Sequence, residues 1–320
     1  ILLTGATGFV GRHLYPELAR AGYDVVCASR HPDEAQQRYP DRRWIRMDLA
    51  DPASIRDAMK GCDAAFYLVH GMAGPGDYER EEREAATRFV DAAREVPLKR
   101  IVYLGGVAPA GSLSRHLRSR LSTGKILRSG GVPVVELQAG MIIGLESESW
   151  RIVRDLSVRL PVMVLPRWLR TRSQPVAIED VVAALSHALE IPADAVGCYG
   201  LPGPEILAAR DILVRIARLR GTRPLTIEVP LVTPVLSSYW IQLVTRADRK
   251  IARELVQGLT SDLLAPDEGF WKFMPGYRRL TFDEAALRTL AAERTELSFS
   301  TRIVEALIKR ISARATERPT

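Results

Sequence analysis

The sequence contains little cysteine, which limits both its compartment and its metal chemistry. Its 320 residues include three cysteines, Cys27, Cys62 and Cys198, and these form neither a CxxC pair nor a cysteine–histidine cluster. We therefore expect no disulfide framework and no metal site, and a reducing, cytoplasmic location is the default expectation. The chain begins with Ile1 inside a predicted strand, so a targeting segment ahead of it would not be seen.

The sequence also lacks a long apolar run of the kind that spans a membrane. The uncharged stretch Val229–Thr245 is interrupted by prolines and falls short of the roughly twenty predominantly apolar residues that a span needs. We expect it to be buried or to face a substrate. The segment Thr301–Arg314 has apolar residues on one side and basic residues elsewhere, which allows peripheral membrane contact but favours packing on its own domain.

Acidic residues are outnumbered by basic ones, which bears on the partners of the protein. The formal net charge is +7 and the isoelectric point is near 9.5. Such a surface could attract phosphate cofactors, nucleic acid or anionic lipid, but no nucleic-acid-binding motif accompanies the charge, and we expect no nucleic-acid partner. With 47% hydrophobic and 26% charged residues, the composition is typical of a globular enzyme. We expect its substrate to be a small molecule. It leaves the oligomeric state open.

A glycine-rich turn, Gly5-Ala6-Thr7-Gly8-Phe9-Val10-Gly11, follows an apolar run and precedes a helix-like stretch. In this position the first glycine permits a sharp turn, the second permits close approach to a pyrophosphate, and the third permits close helix packing. The helix N-terminus then offers unpaired N–H groups to the anion. An ordinary turn rich in small residues is the alternative, and the order of strand, turn and helix favours a dinucleotide site.

The first half of the chain alternates predicted strands and helices. This alternation predicts an α/β fold with a Rossmann-type, doubly wound parallel sheet and a smaller C-terminal lobe. We assign residues 1–145 to the NAD(P)-binding domain and residues 146–320 to a substrate lobe and helices that are interleaved with it. Buried strands are predicted at Val25–Ala28, Trp44–Met47, Ala64–Val69, Arg100–Leu104 and Val132–Leu137, and helices at Tyr78–Arg94, Leu113–Arg128, Ile178–Glu190 and Ala208–Arg218, with Asp51-Pro52 opening another helix.

The residues that end the second strand of such a fold meet the adenosine ribose. Ser29 and Arg30 stand there, and no carboxylate follows until Asp33. Because arginine pairs with a 2′-phosphate whereas an acidic residue would bind the free 2′-hydroxyl, we expect NADP(H) rather than NAD(H). Asp48 and Leu49, at the end of the third strand, would lie beside the adenine, although Asp48 could instead cap the following turn.

These motifs resemble those of the atypical and extended short-chain dehydrogenases/reductases, in the NAD(P)H-binding branch near the NmrA-like and isoflavone-reductase-like proteins. The resemblance covers about the first 220 residues well. It implies that further residues at the ends of the later strands contact the cofactor. These are Leu68, Val69 and His70 after the fourth strand, Gly105 and Gly106 after the fifth, and Ala139, Gly140 and Met141 in the segment LQAGMIIG, which resembles the family's LRPxxVxG.

The chain departs from this family at the catalytic helix. The family's reductases usually carry a tyrosine and a lysine four residues apart, where this chain has His116 and Arg120. A histidine can exchange a proton near neutral pH, and an arginine can hold a ribose hydroxyl, so both are candidate catalytic residues. The alternative for His116 is a solvated position in a basic helix start. Tyr78 and Tyr103 are further candidate acids that no spacing singles out.

Two functions remain open at this stage. The first is an NADPH-dependent oxidoreductase acting on a small apolar carbonyl or quinone-like acceptor. The second is a non-catalytic NADPH-binding protein, either a redox sensor or a structural or assembly subunit. The aromatic groups Tyr239-Trp240 and Phe270-Trp271-Phe273 could line a substrate pocket, although core packing is the more common role of such residues, and Glu179-Asp180 is expected to serve helix capping.

Overall fold

A computed structural model describes residues 1–70, 77–109, 114–159, 162–222, 225–229, 261–265 and 267–296. We number the strands and helices in chain order. They are β1 (Leu2–Leu3), α1 (Phe9–Arg20), β2 (Val26–Ser29), α2 (Pro32–Arg38), β3 (Arg43–Arg46), α3 (Pro52–Met59), β4 (Ala64–Tyr67), α4 (Tyr78–Arg94), β5 (Arg100–Gly106), α5 (Arg115–Arg128), β6 (Val134–Ala139), β7 (Ile142–Ile143), α6 (Glu148–Arg159), β8 (Val162–Pro166), β9 (Arg172–Ser173), β10 (Val176–Ala177), α7 (Ile178–His187), β11 (Gly197–Gly200), β12 (Leu207–Ala208), α8 (Ala209–Leu219), β13 (Leu225–Val229) and α9 (Phe282–Glu296).

The central sheet has seven strands among the described residues, in the order β11-β6-β5-β4-β1-β2-β3, and every pair is parallel. Short strands rich in small and apolar residues alternate with amphipathic helices, so the helices cover both faces of the sheet. Chain order reverses between β1 and β4. The predicted Rossmann-type, doubly wound fold is confirmed, and its seventh strand comes from residues 197–200, beyond the first 145.

Two apolar clusters lie on the opposite faces of this sheet. One contains Leu14 and Leu18 of α1 with α7, and the other contains Phe89 and neighbouring residues of α4 with α3 and α5. The helices α1 and α7 therefore pack against each other on one face of the sheet, and the N-terminus of α1, which directly follows β1, lies at the carboxyl ends of the strands.

Local sequence signals explain several helix starts. Asp51 caps α3 as predicted, because its Oδ1 accepts hydrogen bonds from the backbone N–H groups of Ala53 at 3.1 Å and Ser54 at 3.3 Å. The Ser114 hydroxyl caps α5 by accepting from the Leu117 N–H at 3.3 Å. Helix α4 has its predicted bounds.

Some predicted strand bounds were wrong at the functional edge of the sheet. The fourth strand ends at Tyr67 rather than Val69, so that Leu68 belongs to the turn beyond it. The fifth strand continues through Gly105 and Gly106, and the sixth runs to Ala139, because these residues pair with one another across the ladder. Glycine is a poor strand former, and only the pairing partner keeps these two residues extended.

The C-terminal part attaches to the sheet through a buried carboxylate. Asp180, in the first turn of α7, is 1% exposed and accepts hydrogen bonds from the Tyr277 hydroxyl and the Leu280 N–H, both at 3.0 Å. Its role therefore exceeds the helix capping predicted for it. The rings of Tyr277 and Trp271 stack with centroids 5.6 Å apart, and the Trp271 indole donates to the Pro202 carbonyl at 2.8 Å.

The aromatic residues before α9 belong to the core rather than to a pocket. Phe270 is fully buried and Trp271 is 6% exposed, both in the apolar cluster that contains α1 and α7. The core reading of Phe270-Trp271-Phe273 is therefore the one that fits. The second aromatic group, Tyr239-Trp240, lies outside the described residues, as do most of Val229–Thr245 and all of Thr301–Arg314.

Burial makes the Asp180 attachment sensitive to pH. Desolvation is the main cause that raises the pKa of Asp180 from 3.8 to about 6, against the lowering effect of its hydrogen bonds from Leu280 and Tyr277. The folded state thus binds this proton more tightly than the unfolded chain does. The contribution of Asp180 to stability consequently falls as pH rises from about 4 to about 6.

We expect Asp180→Asn to remove this pH dependence. Urea unfolding gives the free energy of unfolding of each protein. The wild-type value minus the Asp180→Asn value should be larger at pH 4.5 than at pH 7.5. Asp180→Ala should destabilise at both pH values, by about 1–3 kcal/mol for each donor left without an acceptor. Glu34→Gln, at an exposed acid of α2, serves as the control. A difference between wild type and Asp180→Asn that stays constant with pH would contradict the assignment.

Candidate functional site

The predicted cofactor residues gather at one edge of the sheet. The turns after β1, β2, β3 and β4 and the ends of β5 and β6 all lie at the carboxyl ends of parallel strands, around the point between β1 and β4 where the strand order reverses. Open α/β sheets bind their ligands in the crevice at this point. The fold therefore brings together residues that are widely separated in the sequence.

The glycine turn is held against the end of β4. The Thr4 hydroxyl donates to the Phe66 carbonyl at 2.8 Å and accepts from the Leu68 N–H at 3.0 Å. Gly5 has a φ of +65°, and a Cβ atom there would lie 2.5 Å from the Leu68 carbonyl oxygen. Gly11 needs its lack of a side chain too, because a Cβ would collide with the Gly5 carbonyl. These two glycines are required by the protein's own backbone.

Gly8 and Gly140 have a different environment. The backbone at Gly8 is extended, with a φ of −78°, and a Cβ there would meet only the Gly5 carbonyl oxygen at 3.2 Å. A Cβ on Gly140 would meet no described atom within 4 Å. The contact at Gly8 is tighter than most Cβ contacts, so the backbone itself favours glycine there, whereas no described atom opposes a side chain at Gly140. The open space beside Gly140, a predicted cofactor contact, fits a ligand that would occupy it.

The start of α1 offers hydrogen-bond donors at the same place. Its N-cap is Gly8, and no side chain caps the helix, so its first-turn N–H groups are not used in that way. Thr7 and Gly8 are exposed, while Phe9 and Val10 are half-buried. Helix N-termini of this kind bind phosphate because the N–H groups and the helix dipole both favour an anion.

The residues predicted to contact the adenosine lie at the ends of β2 and β3, and those after β3 already have contacts within the protein. Arg30 is exposed at the end of β2, beside Ser29, whose hydroxyl accepts from the His31 N–H at 3.1 Å. Asp48 accepts from the Ala50 N–H at 2.9 Å, so it caps the turn after β3, the second of the two roles open to it. Leu49 packs against the apolar cluster of α3 and α4.

His116 and Arg120 lie on one face of α5 next to the end of β5. The Arg120 guanidinium donates from Nη1 to the Leu104 carbonyl at 3.4 Å, and its Nε has no hydrogen-bond partner among the described residues. Gly106 permits this proximity, since a Cβ there would lie 3.3 Å from Arg120 Cδ. His70, in the turn after β4, joins the two to form the cluster His70–His116–Arg120.

Burial and the Arg120 charge keep both histidines of this cluster neutral. Desolvation, with the Coulomb repulsion of Arg120 as the second cause, lowers the pKa of His116 to about 3. The pKa of His70 is lowered by the same two effects in the same order. The sequence-based expectation that His116 exchanges a proton near neutral pH is therefore not supported. A neutral imidazole at this place can donate one hydrogen bond and accept another.

Tyr103 is not available as an acid toward a ligand. It is fully buried on β5, and its hydroxyl donates to the Arg120 carbonyl at 3.0 Å. Burial raises its pKa well above the usual range. Tyr78 begins α4, where the Arg115 guanidinium lies 5.0 Å from its ring centroid.

Sequence reasoning missed a carboxylate beside the cluster. Glu82 of α4 accepts a hydrogen bond from the Ser119 hydroxyl, and its Oε1 lies 3.9 Å from His70 Nδ1. The side chains of Glu82 and His70 are 12% and 18% exposed. A signal was present in the sequence, because Glu82 shares the helical stripe of Ala86 and Phe89, where apolar residues are expected.

The described part of the chain contains neither a membrane-spanning helix nor a metal-binding cluster. None of its helices combines the length and the apolar character needed to cross a bilayer. Within the same residues, histidine, cysteine, aspartate and glutamate nowhere form a group of three or more that could hold a metal ion.

The first part of the chain is similar to a known protein family. The sequence model described as "NAD dependent epimerase/dehydratase family" matches residues 1–128. The chain is 28% identical over 238 residues to (4-alkanoyl-5-oxo-2,5-dihydrofuran-3-yl)methyl phosphate reductase of Streptomyces griseus, covering 71% of this chain and 76% of that protein. Cinnamoyl-CoA and dihydroflavonol 4-reductases match over only 23% to 37% of their own length.

A relative of another kind also matches. The mouse mitochondrial protein named NADH dehydrogenase [ubiquinone] 1 alpha subcomplex subunit 9 is 25% identical over 215 residues, covering 62% of this chain and 55% of that protein.

Solved structures share the fold at low sequence identity. Triphenylmethane reductase of Citrobacter sp., complexed with NADP(H), has a TM-score of 0.69 at 15% identity and covers 90% of this chain and 99% of its own. The NADPH complex of the Escherichia coli quinone oxidoreductase QOR2 has a TM-score of 0.71 at 17% identity and the same coverage. UDP-glucose 4-epimerase of Thermus thermophilus, complexed with NAD, has a TM-score of 0.66 at 18% identity, covering 92% and 99%.

The neutral state of His116 can be tested by NMR titration of its ring protons. We expect the His116 signals to keep neutral-imidazole shifts from pH 8 to about pH 5, two pH units above the pKa of about 3. Arg120→Gln should raise the pKa of His116, because it removes the second cause of the shift, whereas the exposed Lys125→Gln on the same helix should leave it unchanged. Titration of wild-type His116 near pH 6.5 would contradict this reading of the site.

Proposed function

We propose that the chain is a member of the extended short-chain dehydrogenase/reductase family, in its NAD(P)H-binding branch, and that it is an NADPH-dependent oxidoreductase acting on a small apolar carbonyl or quinone-like acceptor. The observation that carries the proposal is the cradle at the carboxyl edge of the sheet. There the start of α1, which no side chain caps, and the open position at Gly140 fit a dinucleotide.

Arg30 is the basis for the cofactor preference. It is an exposed guanidinium at the end of β2, and such a group forms charge-assisted hydrogen bonds with a phosphate. The NADP(H) and NADPH complexes of the Citrobacter and Escherichia coli structures support this choice, while the NAD complex of the Thermus epimerase shows that the shared fold also accommodates NAD. The preference is therefore assigned to Arg30 rather than to the fold.

The remaining cofactor contacts follow from the same edge. We assign the diphosphate to the turn Gly5–Gly11, including Thr7, Phe9 and Val10, and the adenosine to Ser29 and Arg30 with Asp48 and Leu49. The nicotinamide ribose and ring are assigned to the ends of the later strands. These residues are Leu68, Val69, His70, Gly105, Gly106, Arg120, Ala139, Gly140 and Met141.

A bound nicotinamide would supply or accept a hydride. The residues of this chain would bind the oxygen of the acceptor and stabilise the charge that develops on it. His116, neutral at pH 7, would donate a hydrogen bond from a ring N–H to that oxygen, and because this imidazole holds no extra proton, solvent would supply the proton that completes the reduction. Arg120 keeps a fixed positive charge nearby, which stabilises negative charge that develops on the oxygen during reduction. Burial of this cluster strengthens both effects, since the local dielectric is lower than in water.

The acceptor class rests on the names of proteins similar to this chain. Those proteins are a phosphate-bearing dihydrofuranone reductase, a triphenylmethane reductase and a quinone oxidoreductase. All three are named for redox reactions, which favours reduction over epimerisation in this chain as well.

The second candidate function is a non-catalytic NADPH-binding subunit or redox sensor. Two observations favour it: the place of the family's tyrosine is taken by a histidine that holds no extra proton at pH 7, and one relative is named as a subunit of mitochondrial NADH dehydrogenase. Both candidates require the same cofactor cradle, so turnover distinguishes them.

Turnover can be measured as steady NADPH consumption with a panel of quinones and aldehydes. An oxidoreductase should turn over at least one of them, and His116→Ala should lower kcat about 100-fold, the usual cost of losing one oxyanion donor. Arg120→Ala should lower kcat as well, with its melting temperature checked. Lys125→Ala, exposed on the same helix, is the control. Tight NADPH binding without turnover across the panel would favour the sensor.

The cofactor preference has its own test in the dissociation constants of NADPH and NADH. Arg30→Ala should weaken NADPH binding about tenfold or more, through the loss of a charge-assisted contact, and should leave NADH unchanged. Arg43→Ala, which removes another exposed charge from the start of β3, should change neither constant. A wild type that prefers NADH would contradict the role given to Arg30.

The two kinds of glycine provide a matched comparison. Gly140→Ala should weaken cofactor binding while the melting temperature stays near that of the wild type, because no described atom opposes the new methyl group. Gly5→Ala should lower the melting temperature itself, because its φ of +65° and the Leu68 carbonyl both oppose a side chain. Unchanged cofactor affinity in Gly140→Ala would contradict the placement of the nicotinamide.

A further inference from the structure

An ion pair joins the start of α1 to the segment after β7. Arg12, the residue directly after Gly11, pairs through Nη2 with the carboxylate of Glu146. The side chains of Arg12 and Glu146 are 21% and 47% exposed. Arg12 also donates from Nε to the Gly8 carbonyl at 3.4 Å, so its guanidinium lies beside the N-cap of α1. The pair therefore stands next to the place where a diphosphate would bind.

The backbone of Glu146 is unusual. Its φ is +69°, and it is the one non-glycine residue with a positive φ among the described residues. This left-handed conformation is unfavourable for a residue with a side chain. The neighbouring residues hold it: the Ser147 hydroxyl donates to the Ile142 carbonyl at 2.7 Å, and a Cβ on Gly144 would lie 2.9 Å from Phe9 Cζ. The segment thus carries a carboxylate to the start of α1.

A carboxylate is a poor neighbour for a phosphate site. The N-terminus of α1 favours anions, and the Glu146 charge raises the free energy of a second anion there while it neutralises the cation best placed to help. A guanidinium binds a phosphate group at least as well as a carboxylate, through two parallel hydrogen bonds, and a diphosphate carries more charge. Glu146 and a diphosphate would therefore compete for Arg12.

We propose that Arg12 is a diphosphate ligand of the cofactor and that Glu146 is its competitor, so that cofactor binding breaks the Arg12–Glu146 pair. The inference rests on the proposed NADPH site. Glu146 immediately precedes Ser147, whose hydroxyl accepts a hydrogen bond from the Trp150 N–H in the first turn of α6, so the pair is one of the contacts between the cofactor turn and this segment.

The test compares NADPH dissociation constants, measured by fluorescence, for wild type, Glu146→Gln, Arg12→Gln and the double variant. Glu146→Gln should tighten binding about two- to fivefold, as expected from removal of one exposed ion pair. Arg12→Gln should weaken binding about tenfold or more. In the double variant the Glu146 substitution should lose most of its effect, because there is no longer an Arg12 guanidinium for Glu146 and the diphosphate to compete for.

Matched controls separate this pair from general charge effects. Glu148→Gln removes an acid two residues away that pairs with Arg151, and Arg20→Gln removes an exposed arginine from the last turn of α1. Neither should change the dissociation constant by as much as twofold. Arg12→Lys should recover part of the affinity, and melting temperatures show whether each variant is folded.

A second measurement identifies the phosphate that Arg12 contacts. The diphosphate is common to NADPH and NADH, so Arg12→Gln should weaken both by the same factor, whereas Arg30→Ala should weaken NADPH alone. Loss of NADPH affinity alone in Arg12→Gln would overturn the diphosphate assignment.

The outcomes also distinguish this inference from the function it rests on. A wild type that binds neither dinucleotide would refute the proposed function and the inference together. A wild type that binds NADPH, with Glu146→Gln unchanged or weakened, would refute the competition alone and leave the cofactor site standing.

Discussion

The close approach of the first turn to the end of β4 is the constraint on which the rest of the site depends. Gly5 adopts a left-handed conformation that brings its Cα beside the Leu68 carbonyl, and Thr4 fixes this contact with two hydrogen bonds of 2.8 Å and 3.0 Å. Because the turn is fixed there, α1 begins at the point where the strand order reverses. Its donors then face the crevice in which α/β sheets bind ligands.

The cluster His70–His116–Arg120 owes its character to burial rather than to residue type. The resemblance to short-chain reductases aligns His116 and Arg120 with a tyrosine and a lysine, and a histidine on an exposed basic helix would titrate near neutral pH. Packing of α5 against Gly106 and β5 instead puts the imidazole beside a buried guanidinium, which lowers its pKa to about 3. A proton donor is thereby converted into a neutral hydrogen-bond donor, which changes the chemistry that the pair can perform.

The C-terminal part of the chain reaches the cofactor domain through charged contacts as well as apolar packing. Asp180 receives two hydrogen bonds from the segment before α9, and Glu146 reaches back to Arg12. Neither contact could be predicted from the sequence, because the partners are 97 and 100 residues apart in the first case and far apart in the second. Glu82 illustrates the same limit: its helical stripe indicates burial, but its partners Ser119, on α5, and His70, in the turn after β4, are known only from the fold.

The fold class, the glycine turn and most of the element order could be predicted from the sequence alone, because these features depend on local properties of the chain. Alternating apolar runs specify parallel strands, glycine alone tolerates the φ of +65° at Gly5, and Asp51-Pro52 starts a helix wherever it stands. Strand ends were less predictable, since Gly105 and Gly106 are strand residues only by virtue of pairing with β6. The neutral state of His116, the burial of Asp180 and the pairing of Arg12 with Glu146 could be seen only in the folded structure. Desolvation and Coulomb interactions act between groups that the chain brings together only when it folds.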